Sequence, residues 1–144
     1  MFPAATRSLP VSEGAYRTPM PVEPGLAASA TLTVADTDTA LFLEVGDVPV
    51  LATPRVVMLC ERASVKATAG RLPPGHITVG TGVQISHVAP SGVGEVVTAE
   101  ATLDRIEGRR LVFNVSVSDS HGLIAAGKVT RVLVDRERFL ERVG

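Results

Sequence analysis

The segment from Thr53 to Gly75, TPRVVMLCERASVKATAGRLPPG, decides the fold. Thr53 is a good helix N-cap, and Pro54 suits the first helical position, where a missing N–H costs nothing. Gly70 and the Pro-Pro-Gly that follows supply the stop. The interior is apolar on most sides: Val56, Val57, Met58, Leu59, Cys60, Ala63, Val65 and Ala67. Such a helix is expected to be surrounded by other structure, because tertiary packing has to hold its β-branched residues helical.

After this helix the apolar residues recur every second position, which predicts four strands. Three of the strands alternate clearly, and the last one, from Leu123 to Val134, alternates less cleanly. The alternating sets are Ile77, Val79, Val83, Ile85, His87 and Ala89; then Val93, Val97, Ala99, Ala101 and Leu103; then Leu111, Phe113, Val115 and Val117. Pro90-Ser91-Gly92, Glu107-Gly108 and Ser120-His121-Gly122 mark the turns between them.

The residues before the helix predict one more strand and a connection. Ala28 to Val34 is β-prone, whereas Asp36 to Pro49 mixes Asp, Thr, Gly and Pro, which indicates a connection with one short helical turn, placed to cover a pocket. Residues 1–26 are rich in proline and predict an extended lead-in, and a short charged end runs from Arg136 to Arg142. The fold class is therefore α+β: one domain over residues 27–144, with an antiparallel sheet packed on a single central helix.

Composition limits the class of protein. The chain has 144 residues, with 14 Lys and Arg against 15 Asp and Glu, so it lacks the basic footprint of a nucleic-acid partner. No apolar run approaches a membrane span, and the start, MFPAATRSLP, shows no secretory signal. A lone Cys60 excludes an internal disulfide and a cysteine-based zinc cluster. We expect a soluble, cytoplasmic protein that binds neither nucleic acid nor membrane.

Two ionisable residues interrupt the apolar pattern. Glu61 lies in the middle of the apolar helix, and His87 lies on the apolar face of a strand. A buried carboxylate is usually paired, hydrogen-bonded or functional. The simpler interpretation places Glu61 on a solvent-facing side beside Arg62, and makes His87 a satisfied core histidine or one exposed at a strand end. The pattern alone leaves both interpretations open.

The other polar candidates have simple structural explanations. His76 follows Pro-Pro-Gly and His121 lies in a Ser-His-Gly turn, so both are interpreted as loop residues. Cys60 is expected to be a small buried hydrophobe rather than a nucleophile. Thr53, taken alone, is a helix cap.

Taken together, these residues match a known pattern. The stretches ATPRVVMLCERA, VGTGVQISHVAPSG, TAEATLDRIEGRRLVFNVSVSD and AGKVTRVLVDRERF resemble the fluoroacetyl-CoA thioesterase-like family of hotdog-fold proteins, from about Ala52 to Phe139. The family's threonine before the central helix, its glutamate eight residues later and its histidine at the end of the next strand fall on Thr53, Glu61 and His87. Its glycine beside the acyl group and its arginine on the final strand fall on Gly80 and Arg131.

The resemblance implies hydrolysis of an acyl-CoA thioester without a metal or other cofactor. The helix N-terminus would stabilise the thioester oxygen as it becomes an oxyanion, with the backbone N–H groups of Arg55 and Val56 as donors beside the Thr53 hydroxyl. Glu61 would attack the carbonyl to give a mixed anhydride, or would activate water as a general base. His87 would relay a proton to the thiolate or to water.

Helix geometry separates two of these residues within one chain. Thr53 and Glu61 are 61 − 53 = 8 residues apart, which is a rise of ~12 Å along a helix. We therefore predict a homodimer in which Thr53 of one subunit meets Glu61 of the other, as hotdog proteins generally place their active sites at the subunit interface. A monomer is expected to be inactive.

The chain departs from the family at two places. Proline 54 stands where the fluoroacetyl enzyme has glycine, and the phenylalanines of that enzyme's lid have no counterparts in EVGDVPV, between Leu43 and Leu51. General activity on short or medium acyl-CoA is therefore expected, without fluoroacetyl specificity. Two alternatives stay open. A hotdog hydratase would need an aspartate beside His87, which the sequence does not offer. A non-catalytic dimeric module would bind acyl-CoA without releasing thiol.

Overall fold

A computed structural model of the protein describes residues 21–144. The predicted proline-rich lead-in, residues 1–26, therefore lies outside the described residues up to position 20. The end of this segment that the structure describes is hydrogen-bonded to a later strand. The Gly25 N–H donates to the Leu103 carbonyl over 2.8 Å, and the Leu103 N–H donates to the Leu26 carbonyl over 2.8 Å.

The elements occur in the order predicted from the sequence: a strand, a long helix and four further strands. They are β1 (Ala27–Thr33), α1 (Thr53–Ala67), β2 (His76–His87), β3 (Val96–Glu107), β4 (Arg110–Asp119), β5 (Gly122–Asp135) and the short helix α2 (Arg136–Leu140). The helical turn expected in the connection before α1 is a 3-10 turn at Asp36–Asp38, and a second one follows α2 at Glu141–Val143. Within residues 21–144, no helix combines the length and the apolar character needed to cross a membrane.

The strands form one antiparallel sheet in the order β1-β3-β4-β5-β2, which confirms the α+β class. β1 and β2, the strands on either side of α1 in sequence, lie at opposite edges, so α1 crosses the face of the sheet between them. Its buried residues recur at helical spacing and pack on the inner face of the sheet. These residues are Val56, Leu59, Cys60, Ala63, Ser64 and Ala67. Phe113, Leu103, Leu111 and Val129 are among the fully buried sheet residues facing them.

The helix begins one residue earlier than predicted. Ala52 is the N-cap, Thr53 is the first helical residue and Pro54 is the second. The Ala52 N–H is held by the Asp38 carbonyl at 2.9 Å, and no side chain caps the helix. The Thr53 hydroxyl is free of the capping role because it binds His87 instead. Pro54 is tolerated because the first four N–H groups of a helix lack intrahelical partners.

The expectation that other structure surrounds α1 is met in part within the single chain. The sheet covers one face of the helix, whereas Val57 and Met58 are half-buried and Val65 is 46% exposed on the other. Among residues 21–144, strand β2, next to this uncovered face, has β5 on one side only and ends the sheet. This face also carries the exposed Arg62 and Lys66, so it is a mixed apolar and charged surface beside the edge of the sheet.

A β-bulge in β2 corrects the predicted alternation. Gly80 pairs with Arg131 and Gly82 pairs with Thr130, so Thr81 is an extra residue in the strand. The bulge reverses the side-chain alternation, so Ile77 and Val79 do not share a face with Val83, Ile85 and His87 as the sequence predicted. It brings Gly80 and His87, seven residues apart, onto the same helix-facing side. Without the bulge an odd separation would place them on opposite faces.

Replacing Gly127 by alanine is expected to destabilise the fold by about 3 kcal/mol. An added Cβ would overlap the carbonyl oxygen of Gln84 on β2 and would lie 2.8 Å from the Ile85 Cα, and these backbone atoms cannot rotate away. The measurement is the free energy of unfolding in urea. Gly82→Ala is the matched control, because its Cβ would meet only the Thr130 Cβ, at 3.9 Å. Equal stability of the two variants would show that β2 and β5 are not this close at Gly127.

Candidate active site

Thr53 and His87 form the first half of the candidate site. The Thr53 Oγ1 and the His87 Nδ1 are 2.8 Å apart, which joins the start of α1 to the end of β2. Burial lowers the pKa of His87 below its usual 6.5, and the Ala89 backbone partly offsets this effect. The His87 Nε2 is buried and has no hydrogen-bond partner among the described residues. Since a buried nitrogen is rarely left unpaired, this atom is a candidate for a functional contact.

A cavity of about 430 Å³ lies beside this pair, and its walls are mostly aliphatic. The connection before α1 forms one wall, as predicted, and is fixed by hydrogen bonds from the Ala40 N–H to the Val50 carbonyl (2.8 Å) and from the Leu51 N–H to the Ser91 carbonyl (2.8 Å). The Ser91 hydroxyl in turn donates to Asp119 over 2.7 Å. The lining residues are Ala40, Val45, Gly46, Val48, Val50, Leu51, Ala52, Thr53, Pro54, His87, Val88, Ala89 and Pro90.

Glu61 forms the second half, where α1 faces Gly80 on β2 and Arg131 on β5. Its Oε2 accepts a hydrogen bond from the Arg131 Nη1 over 3.0 Å, in an ion pair whose side chains are 37% and 9% exposed respectively. Arg131 also donates from Nε to the Thr78 hydroxyl and from Nη2 to the Thr78 carbonyl, each over 3.0 Å. A second cavity, of about 730 Å³, is lined by Glu61, Gly80 and Arg131 together with helix residues that include Met58.

Gly80 lies directly against the Glu61 carboxylate. A Cβ added at Gly80 would overlap the Glu61 Oε2 and would stand 3.1 Å from the Arg131 Nη1. The close approach therefore requires a residue without a side chain at this position. The family resemblance assigned to Gly80 a contact with the acyl group, and here its neighbour is the carboxylate.

Five of the residues proposed from the sequence thus fall into two groups in one chain. Thr53 and His87 line the first cavity, whereas Glu61, Gly80 and Arg131 line the second. Glu61 is partly exposed, but its ion pair with the buried Arg131 distinguishes it from an ordinary solvent-facing carboxylate. The hydrogen bond of His87 to Thr53, beside a cavity, likewise separates it from an ordinary core histidine.

The two backbone donors suggested at the helix start, Arg55 and Val56, need correction. Both N–H groups bind the Ala52 carbonyl, over 3.0 Å and 3.3 Å, because the helix starts at Thr53. The Arg55 side chain faces the preceding 3-10 turn, with its Nε 3.1 Å from the Asp38 Oδ1. The N–H of Thr53, in contrast, is the first of the helix and has no backbone acceptor among residues 21–144, so it is available to a ligand.

A group of potential metal ligands lies elsewhere, at the turn between β4 and β5. Glu95, Asp119 and His121 have ligand atoms within 4.8 Å of one another. Their oxygens already bind the protein: Glu95 accepts from the Ser120 hydroxyl over 2.8 Å, and Asp119 accepts from the His121 N–H over 2.8 Å. This network holds the turn and is separate from both halves of the candidate site.

Sequence reasoning missed Thr78. The residue had no place in any motif, and its contact with Arg131 depends on the pairing of β2 with β5. Its position two residues before Gly80, on the same face of the strand, was the signal available in the sequence.

Comparisons with known proteins point to one family. The family model described as fluoroacetyl-CoA-specific thioesterase matches residues 34–137. The fluoroacetyl-CoA thioesterase of Streptantibioticus cattleyicolor is 38% identical over 94 residues, which are 65% of this chain and 68% of that protein.

Solved structures show the same architecture. A structure of the fluoroacetyl-CoA thioesterase FlK superposes with a TM-score of 0.77 at 33% identity, covering 85% of this chain and 95% of the other. A hot-dog-like protein from Thermanaerovibrio acidaminovorans gives a TM-score of 0.77 at 27% identity, covering 83% and 89%. The chain therefore has the hotdog fold and belongs to the family of the fluoroacetyl-CoA-specific thioesterases.

Proposed function

We propose that this protein hydrolyses short or medium acyl-CoA thioesters to the free acid and CoA, at a site shared by the two subunits of a homodimer. Thr53 and His87 come from one subunit, and Glu61, with Gly80 and Arg131, comes from the other. The observation that carries this proposal is that one chain holds the two halves in separate cavities, each with its own polar contacts.

The first half supplies the oxyanion site and the proton relay. The Thr53 N–H and hydroxyl lie at the positive end of α1, where they stabilise negative charge that develops on the thioester oxygen. His87, kept neutral by burial, exchanges the proton that the reaction moves. Its orphan Nε2 is the atom assigned to this exchange.

The second half supplies the carboxylate, by one of two routes. If Glu61 attacks the carbonyl carbon, the C–S bond breaks, CoA leaves as a thiolate that takes a proton through His87, and water then cleaves the mixed anhydride. If Glu61 instead takes a proton from water, the resulting hydroxide attacks and the same C–S bond breaks. Both routes end at free acid and CoA and use the same two side chains.

Three features support the dimer. Thr53 and Glu61 of one chain are separated by a helix rise of ~12 Å, too far for a shared reaction centre. The uncovered side of α1 carries the half-buried Met58 and the exposed Val65 next to Glu61. Strand β2, which carries Gly80 and His87, ends the sheet, and its outer edge has no partner strand in the described part of the chain. A two-fold axis beside β2 would bury these surfaces and create two identical sites.

The lining of the first cavity favours an apolar acyl group as the substrate and offers no fluorine-selective gate among the described residues. Val45, Val48 and Val50 line it, and the only phenylalanine of the described connection, Phe42, is 59% exposed and is not part of the lining. An aliphatic wall attracts acyl chains through burial of apolar surface, at about 0.8 kcal/mol per methylene group.

The proposal is tested by following thiol release from a panel of acyl-CoA thioesters with a thiol-reactive chromophore. The protein contributes little background signal, since its single cysteine, Cys60, is fully buried and burial raises its pKa to about 11. Release of CoA at catalytic rates is expected for one or more members of the panel. Tight binding of acyl-CoA without any release would instead identify a non-catalytic binding module.

On the acid side, the midpoint of the activity profile is expected to lie below pH 6.5. Burial lowers the pKa of His87, so the midpoint of its protonation lies below the usual 6.5, and the neutral imidazole that exchanges the proton is lost only as the pH falls through that lowered pKa. The same sign applies to folding: the contribution of neutral His87 to stability is present above pH 6.5 and is lost as the pH falls through the lowered pKa. Kcat/KM should be measured by thioester absorbance, because thiol reagents are themselves pH-dependent. A break above pH 6.5 that is absent in His87→Ala would contradict the assignment.

A further inference from the structure

Each of the three nitrogen atoms of the Arg131 guanidinium donates a hydrogen bond. Nη1 donates to the Glu61 carboxylate, Nε to the Thr78 hydroxyl and Nη2 to the Thr78 carbonyl, each over 3.0 Å. A guanidinium is planar, and its N–H groups point in fixed directions. Two contacts with Thr78 therefore fix the direction in which the third N–H reaches Glu61.

The pairing of β2 with β5 makes these contacts possible. Gly80 lies opposite Arg131 and Thr78 lies opposite Leu133, so the Thr78 side chain and the Arg131 side chain share the helix-facing side of the sheet. The carbonyl of residue 78 is present whatever the side chain is. The hydroxyl, in contrast, requires threonine or serine at this position. Of the two, threonine also carries the β-branched methyl group that favours a strand.

We propose that Thr78 is a positioning residue, whose hydroxyl orients Arg131 and thereby holds the Glu61 carboxylate in its reactive position. The inference rests on the proposed thioesterase function and extends it to a residue that does not touch the reacting atoms. Because Gly80 has no side chain, it leaves room for the Glu61 carboxylate. The Thr78–Arg131 pair then sets the orientation of that carboxylate.

Burial makes this orientation depend on the hydroxyl. The Arg131 side chain is 9% exposed, so an Nε that loses its acceptor cannot readily turn to water. Burial also lowers the pKa of Arg131, an effect that the charge of Glu61 opposes. Without the Thr78 hydroxyl, the guanidinium has to rotate towards another acceptor, and Nη1 leaves its place beside the Glu61 Oε2. A displacement of about 1 Å in a reacting group can cost 10²-fold in rate.

The test compares Thr78→Val with Thr78→Ser. Valine keeps the shape and strand preference of threonine but removes the hydroxyl, whereas serine keeps the hydroxyl. We expect Thr78→Val to lower kcat by roughly 10- to 30-fold with KM changed by less than about threefold, because the loss lies in the chemical step. Thr78→Ser is expected to recover most of the loss. The urea midpoint of Thr78→Ser should stay near that of the parent, and urea titration should show Thr78→Val still folded under the assay conditions.

A double-mutant cycle with Glu61→Gln separates positioning from a general structural effect. If Thr78 acts through Arg131 on the Glu61 carboxylate, Thr78→Val should cost little further activity once that carboxylate is gone. Equal losses of kcat in the two backgrounds would overturn the proposal, and so would full activity of Thr78→Val in the otherwise unchanged protein. A parent protein that releases no thiol from any acyl-CoA would overturn the thioesterase proposal itself, and the positioning role with it.

Discussion

Replacing Glu61 by glutamine is expected to lower kcat by about a thousandfold while the fold is retained. Glutamine has the same shape and can still accept the hydrogen bond from Arg131, but it can neither attack a carbonyl carbon nor take a proton from water. A measurable decrease in the free energy of unfolding is also expected for Glu61→Gln, because the buried Arg131 guanidinium loses its charged partner. Steady-state thiol release and a urea titration on the same sample separate the two effects.

Glu100→Gln is the matched control for this substitution. Glu100 is an exposed carboxylate on β3 that lies outside both cavities, so kcat should remain close to that of the parent. Turnover of Glu61→Gln within a few-fold of the control would remove Glu61 from the mechanism.

Replacing Gly80 by alanine is expected to lower kcat by about a hundredfold with little change in stability. The added Cβ would occupy the place of the Glu61 Oε2, and the obstructing atoms are the ends of the Glu61 and Arg131 side chains. Flexible side chains can turn aside, so the carboxylate moves and the sheet stays intact. The contrast with Gly127 follows from the same reasoning, because the atoms that obstruct a Cβ there belong to the backbone of β2.

Gly82→Ala serves as the control for Gly80→Ala as well as for Gly127→Ala. It places a methyl group in the same strand, two residues away, where only the Thr130 Cβ lies at 3.9 Å. Kcat should be unaffected in Gly82→Ala and KM should be similar in both variants. If Gly80→Ala lowers the free energy of unfolding as much as Gly127→Ala is expected to do, the carboxylate is not the group that yields.

Local sequence patterns were sufficient to predict the elements of the fold. The break signals around the helix and the alternation of apolar residues depend on nearest neighbours along the chain, so the order of strand, helix and four strands follows from them. The placement of β1 and β2 at opposite edges of the sheet does not, because it depends on which strands pair across long distances. The bulge at Thr81 was missed for a related reason: its register is set by β5, and alternation alone placed Ile77 and Val79 on the wrong face.

The candidate site was predictable in part. Glu61 and His87 were conspicuous because each interrupts an apolar pattern, and the family resemblance joined them to Thr53, Gly80 and Arg131. Thr78 interrupts no pattern, since threonine is ordinary in a strand. The N–H groups of Arg55 and Val56 were expected to be free donors, but the helix begins one residue earlier than predicted and both bind the Ala52 carbonyl.

Mixing two inactive variants tests most directly whether the site is shared between subunits. Glu61→Gln and the double variant Thr53→Val/His87→Ala each lack one half of the set in every homodimer. After unfolding together and refolding, a mixed dimer contains one complete site, with Thr53 and His87 from the first chain and Glu61 from the second.

Random pairing of equal amounts should restore about a quarter of the parent's sites, because half of the dimers are mixed and each has one of its two sites intact. The result predicted is thiol release at roughly that fraction of the parent rate, with mixed dimers confirmed by native mass spectrometry. A mixture in which such dimers are present but no more active than either variant alone would contradict a site built from two subunits.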